Sequence, residues 1–416
     1  MDTIATADGT KPRLAFSGYQ KFVIAILAFL QFTLILDFMI ISPLGAMLMP
    51  TLHIAPQQFG LAVSSYAFSA GLSGLLAAGF ADRFDRKRLL LFFYGGFMLG
   101  TLLCALATTY PLLLADRIVT GLFGGVIGSV VLAIATDLFP LEMRGRVMGF
   151  LQTAFAGAQI LGLPVGLYFA NHWDWHAPFF AIITVAVPVG LVILFFMQPV
   201  AAHLKLAQER SPFAHLAHTV SEPRYRLAFI LTMLLPTGGY MLMPFGTAYI
   251  VGNVGLSMQT LPTIYLITGC CSVFVGPLVG KISDSYGKFN TFCFGSLLTV
   301  IMVAIWTNLG RAGLPAVIVI NVLMFIGIFS RMIPSQALIS AIPEVTKRGA
   351  FNAVSASLQQ FAGGISAAVA GAVIIATPGG ALAHFNWLGY IVMAVSLMSM
   401  TLMYFVHKQV PEPPPR

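Results

Sequence analysis

Ala78-Gly79-Phe80-Ala81-Asp82-Arg83-Phe84-Asp85-Arg86-Lys87 lies between two long apolar runs, and a relative of it, Gly280-Lys281-Ile282-Ser283-Asp284-Ser285-Tyr286-Gly287-Lys288, lies between two others. A second pair of polar stretches repeats in the same way: Pro140 with Arg144-Gly145, and Pro343 with Arg348-Gly349. The separations are 202 residues from Asp82 to Asp284, 203 from Pro140 to Pro343 and 204 from Arg144 to Arg348. So constant an offset marks a duplicated unit rather than a chance match. If each unit crosses a membrane an even number of times, both copies share one orientation, related by an axis along the membrane normal.

The segments between these loops supply the membrane. Of the 416 residues, 58% are hydrophobic and 9% charged, and the mean hydropathy is +0.89. A soluble domain carries about 25% charged residues because its surface must face water. A spanning helix needs about 20 apolar residues. By that ruler the chain holds twelve spans, near 22–48, 57–79, 89–109, 111–138, 147–170, 176–198, 226–251, 260–281, 290–308, 314–341, 350–376 and 387–407. The predicted organisation is a tail (1–21), a six-helix bundle (22–198), a linker (199–225), a second six-helix bundle (226–407) and a tail (408–416). The first span is too long for the apolar core of a signal peptide and has no cleavage site. The fold class is therefore an all-α membrane protein with twelve transmembrane helices in two pseudo-symmetric six-helix bundles.

Basic residues fix the orientation. On this map 19 of the 22 lysines and arginines fall in segments on the side of the two termini, only Arg311 falls on the far side, and Arg117 and Arg331 lie within spans. The positive-inside rule then places both termini in the cytoplasm of a bacterial-type inner membrane. The net charge of +8 forms no basic stripe, so nucleic acid is not an expected partner. Cys104, Cys270, Cys271 and Cys293 sit in apolar runs without metal-ligand or disulfide spacing. His203, His215 and His218 in the linker match no rigid ligand set, so no metal and no cofactor is expected. Gly276-Pro-Leu-Val-Gly280-Lys281 is one residue short of a phosphate-binding loop and lacks the following Ser/Thr, which argues against an ATP-driven pump.

The chain resembles the major facilitator superfamily over nearly its whole length. The loop from Ala78 to Lys87 is similar to that superfamily's signature G-x-L-x-D-R-x-G-R-K, departing from it at Ala78 and Asp85, where glycines are usual. Arg117-Ile-Val-Thr-Gly121 resembles the Arg-x-x-x-Gly motif of proton-coupled members. Gly162-Leu-Pro164-Val-Gly166, with Trp173-Asp174-Trp175 after it, is similar to the drug:proton antiporter and sugar-efflux branches, but lacks the adjacent Gly-Pro of the antiporter motif. The resemblance implies a transporter of a small-molecule substrate, with Asp82 engaging the start of the eleventh helix across the interface between the halves.

Charges at membrane depth are costly and are functional by default. Asp37 lies about 22 Å along the first span, and Arg117 about 9 Å from the outer end of the fourth, at similar depth in a core of about 30 Å. The two are expected to be neighbours. Low dielectric favours a neutral carboxyl and an adjacent guanidinium favours the anion, so a proton or a substrate can tip the balance. A proton-carrying Asp37 and a permanent structural pair both fit the residues. Asp116 is expected on another face from Arg117, toward the outer mouth, because successive helical residues point about 100° apart. Arg331 either holds an anionic or hydroxylated substrate or snorkels to the inner interface. Gln31, Gln152, Gln159, Tyr240, Tyr265, Gln359 and Gln360 complete the expected cavity lining; the third, sixth, ninth and twelfth spans, nearly free of amides and charges, are expected to be outer supports. Pro164, Pro236 and Pro244 are expected to kink or break their helices.

At the inner face, Asp82, Arg83, Arg86, Asp137, Arg144, Asp284, Lys288 and Arg348 are the expected latch, with Arg86 paired to Asp137. The sequence thus predicts a secondary transporter, not an enzyme, that exports a drug-like or sugar-like solute in exchange for protons and works as a monomer. A facilitator or proton symporter importing a metabolite is the rival, and a transporter-like sensor without flux the distant one. No paired-acid, Ser-His or metal cluster suggests membrane enzymology.

Overall fold

The computed structural model describes residues 15–201, 204, 219–344 and 348–409, with backbone only at residues 78, 79, 82, 141 and 142. Among the described residues, twelve helical segments cross the molecule. The first six are α1 (Gly18–Ile40), α2 (Pro56–Phe80), α3 (Arg86–Ala105), α4 (Tyr110–Leu138), α5 (Leu141–His172 in three pieces) and α6 (Ala177–Phe196). The second six are α7 (Arg226–Val254, also in three pieces), α8 (Leu261–Tyr286), α9 (Lys288–Thr307), α10 (Leu314–Ser340), α11 (Arg348–Val373) and α12 (Phe385–Gln409). Eleven are long and apolar enough to cross a membrane by length and composition. The exception is α11, whose 26 residues are rich in Gly, Ser, Ala and Gln; at 1.5 Å per residue it is still about 39 Å long. Its buried residues, Gly363, Gly364, Ser366, Ala367 and Gly371 among them, are mostly small.

Local chemistry sets the helix ends. Ser17 and Gln20 form a reciprocal capping box at the start of α1, with bonds of 3.1 and 3.0 Å. Proline stands in the first turn of α2, α4, α6, α8 and α10, where its missing N–H costs nothing. Asp85, one of the two departures from the superfamily signature, caps α3: its carboxylate accepts from the Arg88 N–H at 2.9 Å.

Most interruptions fall at proline or next to it. The first span is not one helix over 22–48: α1 ends at Ile40, a turn holds Pro43, and a separate helix runs Gly45–Thr51. Pro164 begins the last piece of α5, directly after a π-helical turn at Ala158–Gly162. Pro236 separates Arg226–Leu234 from Thr237–Tyr249, whereas Pro244 sits inside the latter piece. A second π turn, Ile250–Val254, ends at Gly255, whose φ of 85° suits only glycine. A two-stranded hairpin, β1 (Ile375–Ala376) with β2 (Leu382–Ala383), joins α11 to α12.

Burial divides the molecule into an upper and a lower storey. On the side away from the termini one continuous core takes in Leu36, Phe59 and Phe179 from the first bundle and Phe245, Ala367 and Phe385 from the second. On the side of the termini there are two separate cores, one around Leu27, Tyr94 and Ile134, the other around Phe229, Phe292 and Phe351. The bundles are thus sealed together at the far side and stand as separate bodies at the near side, with α2 and α11 packed together as the main exception. That pair approaches so closely that a Cβ on Gly60 would lie 2.7 Å from the Ala367 carbonyl oxygen, and one on Gly371 2.8 Å from that of Pro56.

Candidate functional site

Small residues draw α2, α3 and α4 together in the upper storey of the first bundle. A Cβ on Gly100 of α3 would stand 2.5 Å from Thr120 Oγ1, and one on Gly121 of α4 would stand 2.5 Å from the Tyr66 carbonyl oxygen. The close approach cuts the next groups inward off from bulk solvent. Asp37, Asp116 and Arg117 are all 0% exposed.

Arg117 lies between the two carboxylates. Its Nη1 donates to Asp37 Oδ2 at 3.2 Å, and its Nε donates to Asp116 Oδ1 at 2.9 Å. Thr101 Oγ1 donates to the other Asp37 oxygen at 3.0 Å. The guanidinium carbon stands 5.8 Å from the Tyr66 ring centre and 5.5 Å from that of Phe179, so aromatic faces enclose the cation. Asp116 Oδ2 and Arg117 Nη2 are buried without a hydrogen-bond partner among the described residues.

Asp37 and Arg117, widely separated in sequence, are brought into direct contact. Asp116 is not at the outer mouth, which corrects the helical-wheel expectation. Successive Cβ atoms do diverge, but the arginine stem is long enough to fold back and set Nε beside its neighbour's short carboxylate. Thr101, Phe38 and Asp116 are the groups that helical counting missed. For Asp116 the signal was present, as an acid adjoining an intramembrane arginine; for Thr101 there was none.

From this cluster an aromatic path leads to the other bundle. Phe38, next to Asp37, has its ring 5.2 Å from Tyr66 and 5.7 Å from Tyr240 of α7. Tyr240 Oη donates to Gln360 Oε1 of α11 at 2.7 Å. Gln159, on the π turn of α5, is buried and accepts from Ser272 Oγ of α8 at 3.3 Å, a polar contact between the bundles. Gln31 and Tyr265 are half-buried, and Gln152 and Gln359 exposed, outside this cluster.

Arg331 does not snorkel. It is 7% exposed, and Nη2 donates to Ser399 Oγ of α12 at 3.2 Å, while Nε has no partner among the described residues. The face of α10 that carries it, with Gly327, Ser330 and Pro334, is buried inside the second bundle. Helix α12 therefore contributes buried serine hydroxyls, although it holds no amide or charge in its middle.

At the termini side Arg86 Nε donates to Asp137 Oδ2 at 3.1 Å and Nη1 to the Ala81 carbonyl oxygen at 3.0 Å. Arg144 donates to the carbonyl oxygens of Thr136 at 2.7 Å and Phe139 at 3.0 Å, satisfying groups that the end of α4 leaves open. The second copy is looser: Asp284 and Lys288 form an exposed pair at 3.6 Å, and Arg83 and Arg348 are exposed. These described contacts stay within one bundle. The Asp82 side chain and the three linker histidines lie outside the described atoms. Among the described residues no group of three or more His, Cys, Asp or Glu could hold a metal ion.

Comparison with known proteins agrees with this architecture. The profile of the Major Facilitator Superfamily matches residues 27–367. The chain is 25% identical to the uncharacterized MFS-type transporter YceJ of Bacillus subtilis (strain 168) over 63% of its own length and 67% of the relative's. It is 22% identical to YbcL of the same organism, also an uncharacterized MFS-type transporter, over 93% and 96%. Among solved structures, a bacterial homolog of the human lysosomal transporter Spinster, inward-facing and unoccupied, superposes with a TM-score of 0.75 at 14% identity, covering 96% of this chain and all of that one. A mutant of the nucleoside transporter NupG gives 0.75 at 14%, covering 93% and 99%.

Proposed function

The chain belongs to the Major Facilitator Superfamily, and on that premise we propose that it is a proton-coupled exporter of a small drug-like or sugar-like solute, working as a monomer by alternating access. It lies in a bacterial-type inner membrane with both termini in the cytoplasm, the orientation that the lysine and arginine distribution favours. The bundles rock about the upper contacts, and the separate lower cores mark the side from which substrate enters.

One observation carries the coupling. Two carboxylates share a single guanidinium in a site closed to water, with Arg117 3.2 Å from Asp37 and 2.9 Å from Asp116. A purely structural ion pair needs one acid. The second makes the net charge of the cluster depend on a proton, and a buried site tolerates a change of net charge only if something else moves. A proton gained loosens the hold of the acids on Arg117, and a proton lost tightens it. Because Phe38 follows Asp37 and lies between the tilted rings of Tyr66 and Tyr240, a shift of α1 reaches the second bundle through packed rings.

The test is flux in proteoliposomes with ethidium and a panel of simple sugars, with and without an imposed pH gradient. Wild type should move at least one probe against its gradient when protons run the other way, and Asp37→Asn should lose that drive while still binding the probe. Wild-type flux indifferent to the gradient would make the protein a facilitator. Flux in the same direction as the protons would make it a symporter.

A further inference from the structure

Resting on the proton-coupled reading, we infer that Asp116, not Asp37, is the carboxyl that holds the exchanged proton, and that Asp37 is the standing counter-ion of Arg117.

The hydrogen bonds of the two acids differ in kind. Both Asp37 oxygens have a polar partner: Oδ2 accepts from Arg117 Nη1 at 3.2 Å, and Oδ1 lies 3.0 Å from the Thr101 hydroxyl, whose one proton it shares with the Phe97 carbonyl oxygen at 3.1 Å. That is the solvation an ionised carboxylate needs when water is excluded. Asp116 has one donor, Arg117 Nε at 2.9 Å on Oδ1, and its Oδ2 is buried without a partner among the described residues. The charge count gives the same answer. One guanidinium neutralises one carboxylate, and two carboxylates crowded into one water-free site do not both ionise cheaply. The acid with the poorer hydrogen bonding keeps the proton.

The groups facing Asp116 from each neighbouring helix are few. Arg117 adjoins it on α4, Asp37 faces the cluster from α1, and Tyr66 of α2 lies against the guanidinium. The Cys104 thiol of α3 lies beside the carboxyl and adds only a weak S–H interaction to it. From α6 only the Phe179 ring reaches Arg117. No second cation stands near, so no other group among the described residues can balance an ionised Asp116.

The exchange is a simple one. The O–H bond of Asp116 breaks, the proton passes to water admitted during the conformational cycle, and Asp116 becomes a second anion. Arg117 Nη2, without a hydrogen-bond partner among the described residues, can then turn to the vacated oxygen. The bond between Nη1 and Asp37, which joins α4 to α1, weakens as the one within α4 strengthens. Reprotonation reverses the shift. Asp116 thereby works as a selector that decides whether Arg117 ties two helices together or stays within one.

Infrared difference spectroscopy on the purified full-length protein in lipid nanodiscs tests the assignment without any substrate. Removing either acid would leave one anion and one cation, so Asp→Asn variants at the two positions abolish the signal alike. Asp→Glu variants keep the count and discriminate. At neutral pH wild type should show a protonated-carboxyl C=O band that alkaline pH removes. Asp116→Glu should shift that band, Cys104→Ser should also shift it by placing a hydroxyl beside it, and Asp37→Glu should leave its position unchanged. A band that moves with Asp37→Glu and ignores Asp116→Glu would overturn the assignment, as would the lack of any protonated-carboxyl band in wild type. Asp116→Asn in the flux assay separates the two levels. If the band belongs to Asp116 but wild-type flux ignores the pH gradient, the proton is structural and the coupled reading fails. If wild-type flux follows the gradient and the band belongs to Asp37, coupling stands and only the inference about Asp116 falls.

Discussion

The two bundles share a plan but not a charge load. In the first, α4 carries Arg117 between two acids, all fully buried. In the second, counting 204 residues on from Arg117 reaches Asn321, whose amide donates only to Val317 of its own helix at 2.9 Å. The one deep cation of the second bundle, Arg331, lies lower on α10 and meets a serine hydroxyl instead of a carboxylate. Close packing has been kept on both sides: a Cβ on Gly100 would stand 2.5 Å from Thr120 Oγ1, and one on Gly327 would stand 2.7 Å from Thr299 Oγ1. Duplication therefore preserved how neighbouring helices fit and let the interior chemistry diverge. The first bundle has the fully buried cluster of two acids and an arginine; the second presents Tyr240 and Gln360 to the interface.

The contrast breaks most sharply at Arg117. Arg117→Met leaves two carboxylates in a dry site with no cation, and removing one partner of a buried ionic group costs about 3–5 kcal/mol. The purified variant should show a much lower Tm and a poor yield of monodisperse protein. If its Tm equals that of wild type, the cluster is not the electrostatic centre of the first bundle. Second in size is packing, where the bundles should behave alike. Gly121→Val and Gly327→Val each force a side chain against a neighbouring helix and should each cost about 1–3 kcal/mol, the usual penalty of overpacking. A large loss at one glycine and none at the other would show that the halves do not share their packing.

These sites differ in how far the sequence exposes them. The twelve helices were legible because hydrocarbon demands long apolar runs, and most begin and end within four residues of those runs, at 56–80 for the expected 57–79 and at 288–307 for the expected 290–308, whereas α1 ends at 40 for the expected 48, α5 begins at 141 for the expected 147 and α8 ends at 286 for the expected 281. Even α11, too polar for its class, was counted among the apolar runs, at 350–376 for the observed 348–373. The breaks were less so: Pro43 splits the first span, and neither π turn leaves a mark in composition. Asp37 and Arg117 stood out because an intramembrane charge is rare. Asp116 was misread because a helical wheel records where Cβ points and not where a long side chain ends. Thr101 was invisible, one hydroxyl among many that bond their own helix backbone. Its role depends on which residue stands across from it, which is a property of tertiary packing alone.

A finer comparison concerns the interface. Tyr240→Phe removes the hydrogen bond to Gln360 but keeps the ring that meets Phe38, so it separates the polar contact within the second bundle from the aromatic contact between bundles. A net loss of about 0.5–1.5 kcal/mol is expected in thermal unfolding. Transport should fall far less than with Tyr240→Ala, which removes both. Equal transport losses would mean that the hydroxyl, not the ring, conveys the shift of α1.

The smallest effect is expected at Arg331, and it is the one that tests whether the second bundle needs a charge at all. A buried cation with a single serine partner has given up its hydration for little return, and breaking a buried ionic contact is harmful only when it leaves an opposite charge unpaired. Arg331→Met leaves Ser399 behind, and that hydroxyl already donates to the Ser396 carbonyl oxygen at 2.7 Å. No carboxylate is orphaned, and the flexible methionine chain fills most of the vacated volume. The Tm should therefore stay the same or rise slightly, in contrast to Arg117→Met. A marked fall would mean that Arg331 has an anionic partner in the membrane-embedded protein, and the second bundle would then hold an ionic site of its own.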